Sequence, residues 1–286
     1  MGRDGTVASD KGLYTSAMGG SPVRPGVGEL LGTFVLVYVG CAVAVAAALE
    51  RPIAGAPYDS LTVALAFGVA LLIVVAALGH ITGGHVNPAV TVGLAAAGKF
   101  PWQSVPLYLG AQLGGAVLAG FAVWLSFGDE ARDKAMLAAP AVAQGVSTGQ
   151  AFVVEALITF ILVFVVVLVA SDPRVPSSRI AAVAVGFALA AAVFIGGPLT
   201  GGGANPARSF GPMLVAGEFG DFLLYILAPL LGGVTAAFAG AFLLEAFNPD
   251  DDEDDDEDPN DGDDAPKSGV AARRAGVPGS RAAGLR

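Results

Sequence analysis

The chain is short of the residues on which soluble catalysts and metalloproteins depend. It has one cysteine, Cys41, so no disulfide can form within it. It has two histidines, His80 and His85, five residues apart, and nothing nearby completes a ligand set. No metal and no cofactor are therefore expected. Charged residues make up only 14% of the chain and largely avoid its long apolar runs. No set of nucleophile and base stands out, so an enzyme is not expected, nor is a nucleic-acid partner. The formal net charge of −10 comes largely from one stretch, because residues 250–264, "DDDEDDDEDPNDGDD", hold 12 of the 25 acids. That run has no apolar periodicity and reads as part of a disordered, solvated tail over 249–286. A regulatory or cation-binding role for it is the alternative. Residues 1–26 read as a second disordered tail.

What the chain has in abundance is apolar surface, at 54% of its residues. Six runs, 28–49, 61–79, 102–128, 151–171, 180–200 and 222–247, each match the roughly 20 residues that a helix needs to cross a bilayer core. The fold class that follows is an all-α integral membrane protein over residues 27–248, with the lipid bilayer as its surroundings. No cleavage-like sequence follows the first run, so a signal peptide is not expected. "MGRDGT" fits a myristoylation pattern, but a chain of six spans needs no lipid anchor. With the N-terminus inside, Arg3, Lys11, Arg24, Lys99, Arg174 and Arg179 fall on the cytoplasmic side. Arg51, Arg132 and Lys134 fall outside. The bias of Lys and Arg favours both termini in the cytoplasm.

The chain is also a repeat. "ITGGHVNPAVT" (81–91) lies over "LTGGGANPARS" (199–209) at a shift of 118 with six identities in eleven. The same shift places Gly114-Gly115 on Gly232-Gly233. At a shift of 126, "GELLGTFVLVYVG" (28–40) lies over "VEALITFILVFVV" (154–166), so that Glu29 meets Glu155. The difference between the shifts is a longer first loop. The repeats cover about 27–128 and 150–247. Each contains three spans, an odd number, so the second copy inserts upside down, the arrangement from which pathways across membranes are built.

Residues 87–98 and 205–216 are apolar but too short to cross; twelve residues of helix reach about 18 Å. They read as re-entrant half-helices, one from each face, meeting near the midplane. Asn87 and Asn205 suit the N-caps. Pro88 and Pro206 suit the first helical position, where a missing N–H costs nothing. Ala89 and Ala207 permit close approach. The glycine-rich stretches before them are expected to be extended and to line a wet cavity with the carbonyls of Gly83, Gly84, His85, Gly201, Gly203 and Ala204. Each Asn amide keeps N–H groups to point elsewhere, beside the positive ends of two helix dipoles.

Six spans, inverted halves and the two Asn-Pro-Ala motifs in this context resemble the major intrinsic protein family, the aquaporins and glycerol facilitators, over residues 28–247. The resemblance implies a passive channel, with Asn87 and Asn205 donating to passing water. It makes Glu29 and Glu155 buried braces for the loops before the half-helices; on sequence alone they could be interfacial charges. It places a selectivity constriction at Phe67, Val193, Gly202 and Arg208. Water channels of this family typically have histidine at the position of Val193. Glycerol facilitators resemble Trp where Phe67 stands and Asp where Ser209 stands, while Ser209 and Tyr225 look more aquaporin-like. Water is the expected permeant, with small neutral solutes such as ammonia, hydrogen peroxide or glycerol able to follow. A glycerol facilitator of the same fold is the near alternative, and a coupled secondary transporter the distant one.

The resemblance further implies a homotetramer with one pore per subunit, in the plasma membrane. "GAQLG" (110–114) and "GELLG" (28–32) have the spacing for close helix packing, within or between subunits. His80 is expected to hydrogen-bond locally, with pH gating as the alternative, and His85 to act through its carbonyl.

Overall fold

A computed structural model describes residues 23–170 and 178–246. The two expected tails lie outside the described residues, except that residues 23–26 belong to the first helix and not to a tail. Pro25 sits in that helix's first turn, where a residue without an N–H breaks no hydrogen bond.

Six helices are long and apolar enough to cross a membrane. They are α1 (Val23–Ala48), α2 (Ser60–Thr82), α4 (Val105–Phe127), α6 (Thr148–Ala170), α7 (Ser178–Thr200) and α9 (Leu224–Ala246). Two short helices, α3 (Pro88–Ala96) and α8 (Pro206–Ala216), are the half-helices, and a five-residue helix α5 (Asp129–Asp133) follows α4. No strand occurs among the described residues. Local signals set the ends. Asp59 caps α2 by accepting from the Thr62 N–H at 2.9 Å, and Gly83 ends it at φ +85°. Ser147 and Gln150 bond each other's backbone N–H at the start of α6, a reciprocal capping box. The first half-helix is shorter than the sequence suggests: it ends at Ala96, and Gly98 turns the chain away at φ +70°.

The halves interlock. Helix α2 packs on α7, and each half-helix packs on the last span of the opposite half, α3 on α9 and α8 on α4. Glycines allow these approaches. A Cβ on Gly68 would sit 2.7 Å from the Gly186 carbonyl, and one on Gly186 the same distance from the Gly68 carbonyl. Gly93 lies against Gly233 and Gly211 against Ala116 in the same manner. These contacts correct the alignment of the last spans. Gly115 packs on the Leu30 carbonyl and Gly232 on that of Ala156, so the true shift there is 117, not 118. One residue has been dropped between half-helix and span in the second half. "GELLG" packs within the protomer, with Gly28 against Thr82 and Gly32 against Val86, whereas Gly110 meets open space.

Candidate functional site: the conduction pathway

The pathway begins at the two asparagines. Each Oδ1 caps its own half-helix: Asn87 accepts from the Ala89 N–H at 2.9 Å, and Asn205 from the N–H groups of Ala207 and Arg208 at 2.9 and 3.2 Å. One N–H of each amide then crosses to the other half. Asn87 Nδ2 donates to the Ala204 carbonyl and Asn205 Nδ2 to the Val86 carbonyl, both at 2.9 Å. The half-helix N-termini are thus tied together by two reciprocal bonds. One N–H per asparagine remains available beside the positive ends of both helices. The Ala204 carbonyl, expected to face the lumen, also carries this cross-tie.

Behind the asparagines stand the two glutamates, both wholly buried. Glu29 accepts from Thr82 Oγ1 (2.8 Å), the His85 N–H (3.0 Å), the Val86 N–H (2.7 Å) and Gln112 Nε2 (2.7 Å). Glu155 accepts from Thr200 Oγ1 (2.6 Å), the Gly203 N–H (2.8 Å) and the Ala204 N–H (2.7 Å). They are internal partners of the loops and not interfacial charges. The loops need such partners because Val86 and Ala204 adopt left-handed φ of 43° and 49°, rare for side chains other than glycine. For Val86, Glu29 holds the N–H and Asn205 the carbonyl, so the strained residue is fixed on both sides. Tyr108 and Tyr225 add a hydroxyl to the carbonyls of Thr82 and Thr200, at 2.7 and 2.6 Å.

The lumen runs from the Gly83–Asn87 loop past Gly202, Gly203 and Asn205 to Arg208. Its opposite wall is apolar, built from Leu36, Leu71, Val75, Leu162, Val185 and Leu189, among others. The centre of a water-sized sphere can reach about 20 Å³ of it. About 10–15 Å³ by that measure holds one water, so the lumen has room for one or two. Beyond Arg208 the space opens into a vestibule of about 580 Å³ by the same measure, bordered by Tyr58, Asp59, Pro140, Gly197 and Gly201. Phe67, Val193 and Arg208 line both lumen and vestibule and so stand at their junction. Arg208 is 4% exposed. Its guanidinium lies 4.9 Å from the Phe67 ring centroid, and Nη1 donates to the Ala138 carbonyl at 3.0 Å. Gly202 borders the lumen at φ +63°, where a side chain would be strained.

A sequence profile of the major intrinsic protein family matches residues 19–239. The chain belongs to the major intrinsic protein family. It is 37% identical over 217 residues to a protein named probable aquaporin NIP4-2 from Arabidopsis thaliana, covering 76% of this chain and 72% of that one. It is 39% identical over 215 residues to nodulin-26 of Glycine max, covering 74% of each. Its fold matches the aquaglyceroporin from Plasmodium falciparum with a TM-score of 0.70 at 25% identity, over 79% of this chain and 100% of that one. The chain is a multi-pass membrane protein and, as a member of this family, a passive channel for water or small solutes.

Within this family member, the structure brings most of the predicted residues to one pathway. Asn87, Asn205, Gly83, Gly84, His85, Gly203, Phe67, Val193, Gly202 and Arg208 all border the lumen, and Gly201 borders the vestibule. Pro88, Ala89, Pro206 and Ala207 are buried in the first turns of α3 and α8. The His85 ring is buried, bonded to Thr91 through Nδ1 at 3.1 Å and packed between Phe100 and Tyr108. His80 is exposed. Sequence reasoning missed Thr82, Thr200, Gln112 and Ala138. The threonines were visible in the repeated "TGG", and Tyr108 with Tyr225 would have paired at a shift of 117. Ala138 acts through its carbonyl, which leaves no mark in a side-chain pattern.

Proposed function

We propose that the channel conducts water and lets small neutral solutes such as ammonia, hydrogen peroxide or glycerol follow, while excluding protons and ions. One observation carries the reading: of the described residues at the junction of lumen and vestibule, only Arg208 offers a hydrogen-bonding side chain. Phe67 and Val193 are apolar, and Gly202 has no side chain. A permeant there meets one cationic donor, loop carbonyls and a greasy wall. Such a surface suits a molecule with one polar edge and one carbon edge as well as it suits water. Likeness both to a probable aquaporin and to an aquaglyceroporin supports this dual reading.

Phe67, Val193, Gly202 and Arg208 form the selectivity filter in this proposal, and the charge of Arg208 repels cations. The free N–H groups of Asn87 and Asn205 each donate to a water oxygen at the midplane. The opposed half-helix dipoles orient waters oppositely on the two sides, interrupting the wire along which protons would hop, as in aquaporin-type pores generally. A coupled transporter fits less well. The oxygens of Glu29 and Glu155 are engaged by loop N–H groups and hydroxyls, which leaves no free midplane carboxylate among the described residues to bind a coupling ion. The channel works as a homotetramer in the plasma membrane with both termini in the cytoplasm, supported by family resemblance and by the bias of Lys and Arg.

Stopped-flow light scattering on proteoliposomes tests the proposal. Fast osmotic water flux with glycerol uptake above that of empty liposomes is the expected result. Water flux with glycerol at the empty-liposome rate would limit the channel to water. Uptake of solute against its gradient would overturn the channel reading.

A further inference from the structure

We infer that Gly40, a residue that does not border the pore, sets the width of the pore's constriction. Gly40 lies buried in the middle of α1 in ordinary helical conformation, so no backbone requirement calls for glycine there. In a helix interior glycine is less favourable than alanine. Its neighbours supply the reason. A Cβ built on Gly40 would run into Cδ1, Cε1 and Cζ of Phe67, and these are the three nearest atoms it would meet. One edge of the ring is therefore seated directly on the α1 backbone. The Arg208 guanidinium stands 4.9 Å from the ring centroid, and the ring borders both lumen and vestibule.

The other half solves the same space differently. At the repeat shifts of 126 and 118, Gly40 and Phe67 correspond to Val166 and Val185, both buried and both lining the lumen. There, two medium side chains share the wall. On the outer side one large ring occupies it, and it can lie back from the lumen only because Gly40 has no side chain. A methyl group at position 40 would force the ring to retreat by roughly 1 Å or more to regain the 3.5–4.0 Å of ordinary carbon contact. The side left open to it is the lumen. Gly40 is thus a positioning residue for Phe67, and it decides how large a neutral solute passes beside Arg208. This rests on the proposed passage of small neutral solutes through that junction.

The test compares wild type, Gly40→Ala, Phe67→Ala and the double variant in proteoliposomes, with water and glycerol as permeants. Gly40→Ala is expected to lower glycerol flux about tenfold or more, the discrimination that one methylene in a pocket gives. Water flux should fall about threefold at most, because a single file of water needs less width. In the Phe67→Ala background the same change should alter neither flux, since the ring through which it acts is gone. If wild type excludes glycerol, the solute reading fails alone. Gly40→Ala must then lower water flux, and Phe67→Ala must restore it. Equal fluxes in Gly40→Ala and wild type for every permeant that wild type passes would overturn the inference. So would a loss of the same size with and without Phe67, which would mark damage to the fold.

Discussion

Replacing Glu155 by glutamine isolates what the buried brace contributes. The carboxylate accepts at both oxygens, from Thr200 Oγ1 and the Gly203 N–H at one and from the Ala204 N–H at the other. Glutamine has nearly the same shape but only one acceptor oxygen. Whichever way its amide turns, an NH₂ group faces a backbone N–H, and a buried donor is left unsatisfied. That costs about 1–3 kcal/mol, and loss of the bond itself adds about 1 kcal/mol, so roughly 2–4 kcal/mol in all. The damage falls on Gly203 and Ala204. Ala204 then loses the constraint on its left-handed φ of 49°, and its carbonyl drifts from Asn87 Nδ2. Unfolding with SDS in mixed micelles should show the loss of stability, and stopped-flow scattering should show water flux down by about tenfold, equivalent to a barrier raised by 1.4 kcal/mol. A variant that loses under about 0.5 kcal/mol, well below the cost of a stranded buried donor, and conducts like wild type would refute the reasoning.

Three further outcomes follow from other parts of the molecule. Met136, Leu137 and Ala138 take φ of 46°, 54° and 58°, a left-handed run that costs about 1–2 kcal/mol per residue and is held down by the buried Leu137 side chain. Leu137→Ala should remove about 2–5 kcal/mol of packing, release the Ala138 carbonyl from Arg208 and raise the glycerol-to-water flux ratio; faster amide exchange at 136–139 with an unchanged ratio would contradict this. Mercurials should leave water flux nearly untouched, because Cys41 is buried and no cysteine stands at position 202; strong block of the wild type that Cys41→Ser abolishes would count against that.

The third outcome concerns pH. The Glu130 carboxyl in the short helix after α4 is held below the usual carboxylate range by hydrogen bonds from Lys134 and Arg51 and by their charges. A lowered folded-state value means that its contribution is complete above the unfolded carboxylate value near about 4.3 and is lost as pH falls through the lowered one. Protection of the 128–134 amides, relative to their intrinsic exchange rates at each pH, should therefore fall only in acid, and a fall near neutrality would show that another group holds the loop.

How much of this was legible depended on whether side chains or backbone carried the message. The six spans follow from apolar run length, and the two half-helices from Asn-Pro-Ala recurring in runs too short to cross. Asn87 and Asn205 were readable as caps because their neighbours Pro88 and Pro206 suit a first helical turn. Their cross-ties were not, since a bond from Asn87 to Ala204 depends on where two loops meet and not on any spacing in the chain. The end of α3 was misjudged because Ala96, Ala97 and Gly98 continue the apolar run, and only the left-handed turn at Gly98 stops it. The one-residue slip in the last spans escaped notice because Gly114-Gly115 and Gly232-Gly233 match by letter, whereas packing pairs Gly115 with Gly232. The places of Phe67, Val193 and Gly202 came through family resemblance alone, for nothing in their local sequence marks them.

The exchange of half-helices between the halves has a consequence for how the channel is made. Synthesis delivers α1 to α4 first, and at that stage α3 lacks the α9 surface on which it packs and Asn87 lacks its acceptor on Ala204. Neither half owns a finished wall of the pathway. A nascent or truncated product with only the first three spans therefore exposes no completed hole to the membrane, and conduction begins only when the last span docks. Two halves made from separate messages should be silent singly and conduct together, so permeability becomes a readout of completed assembly.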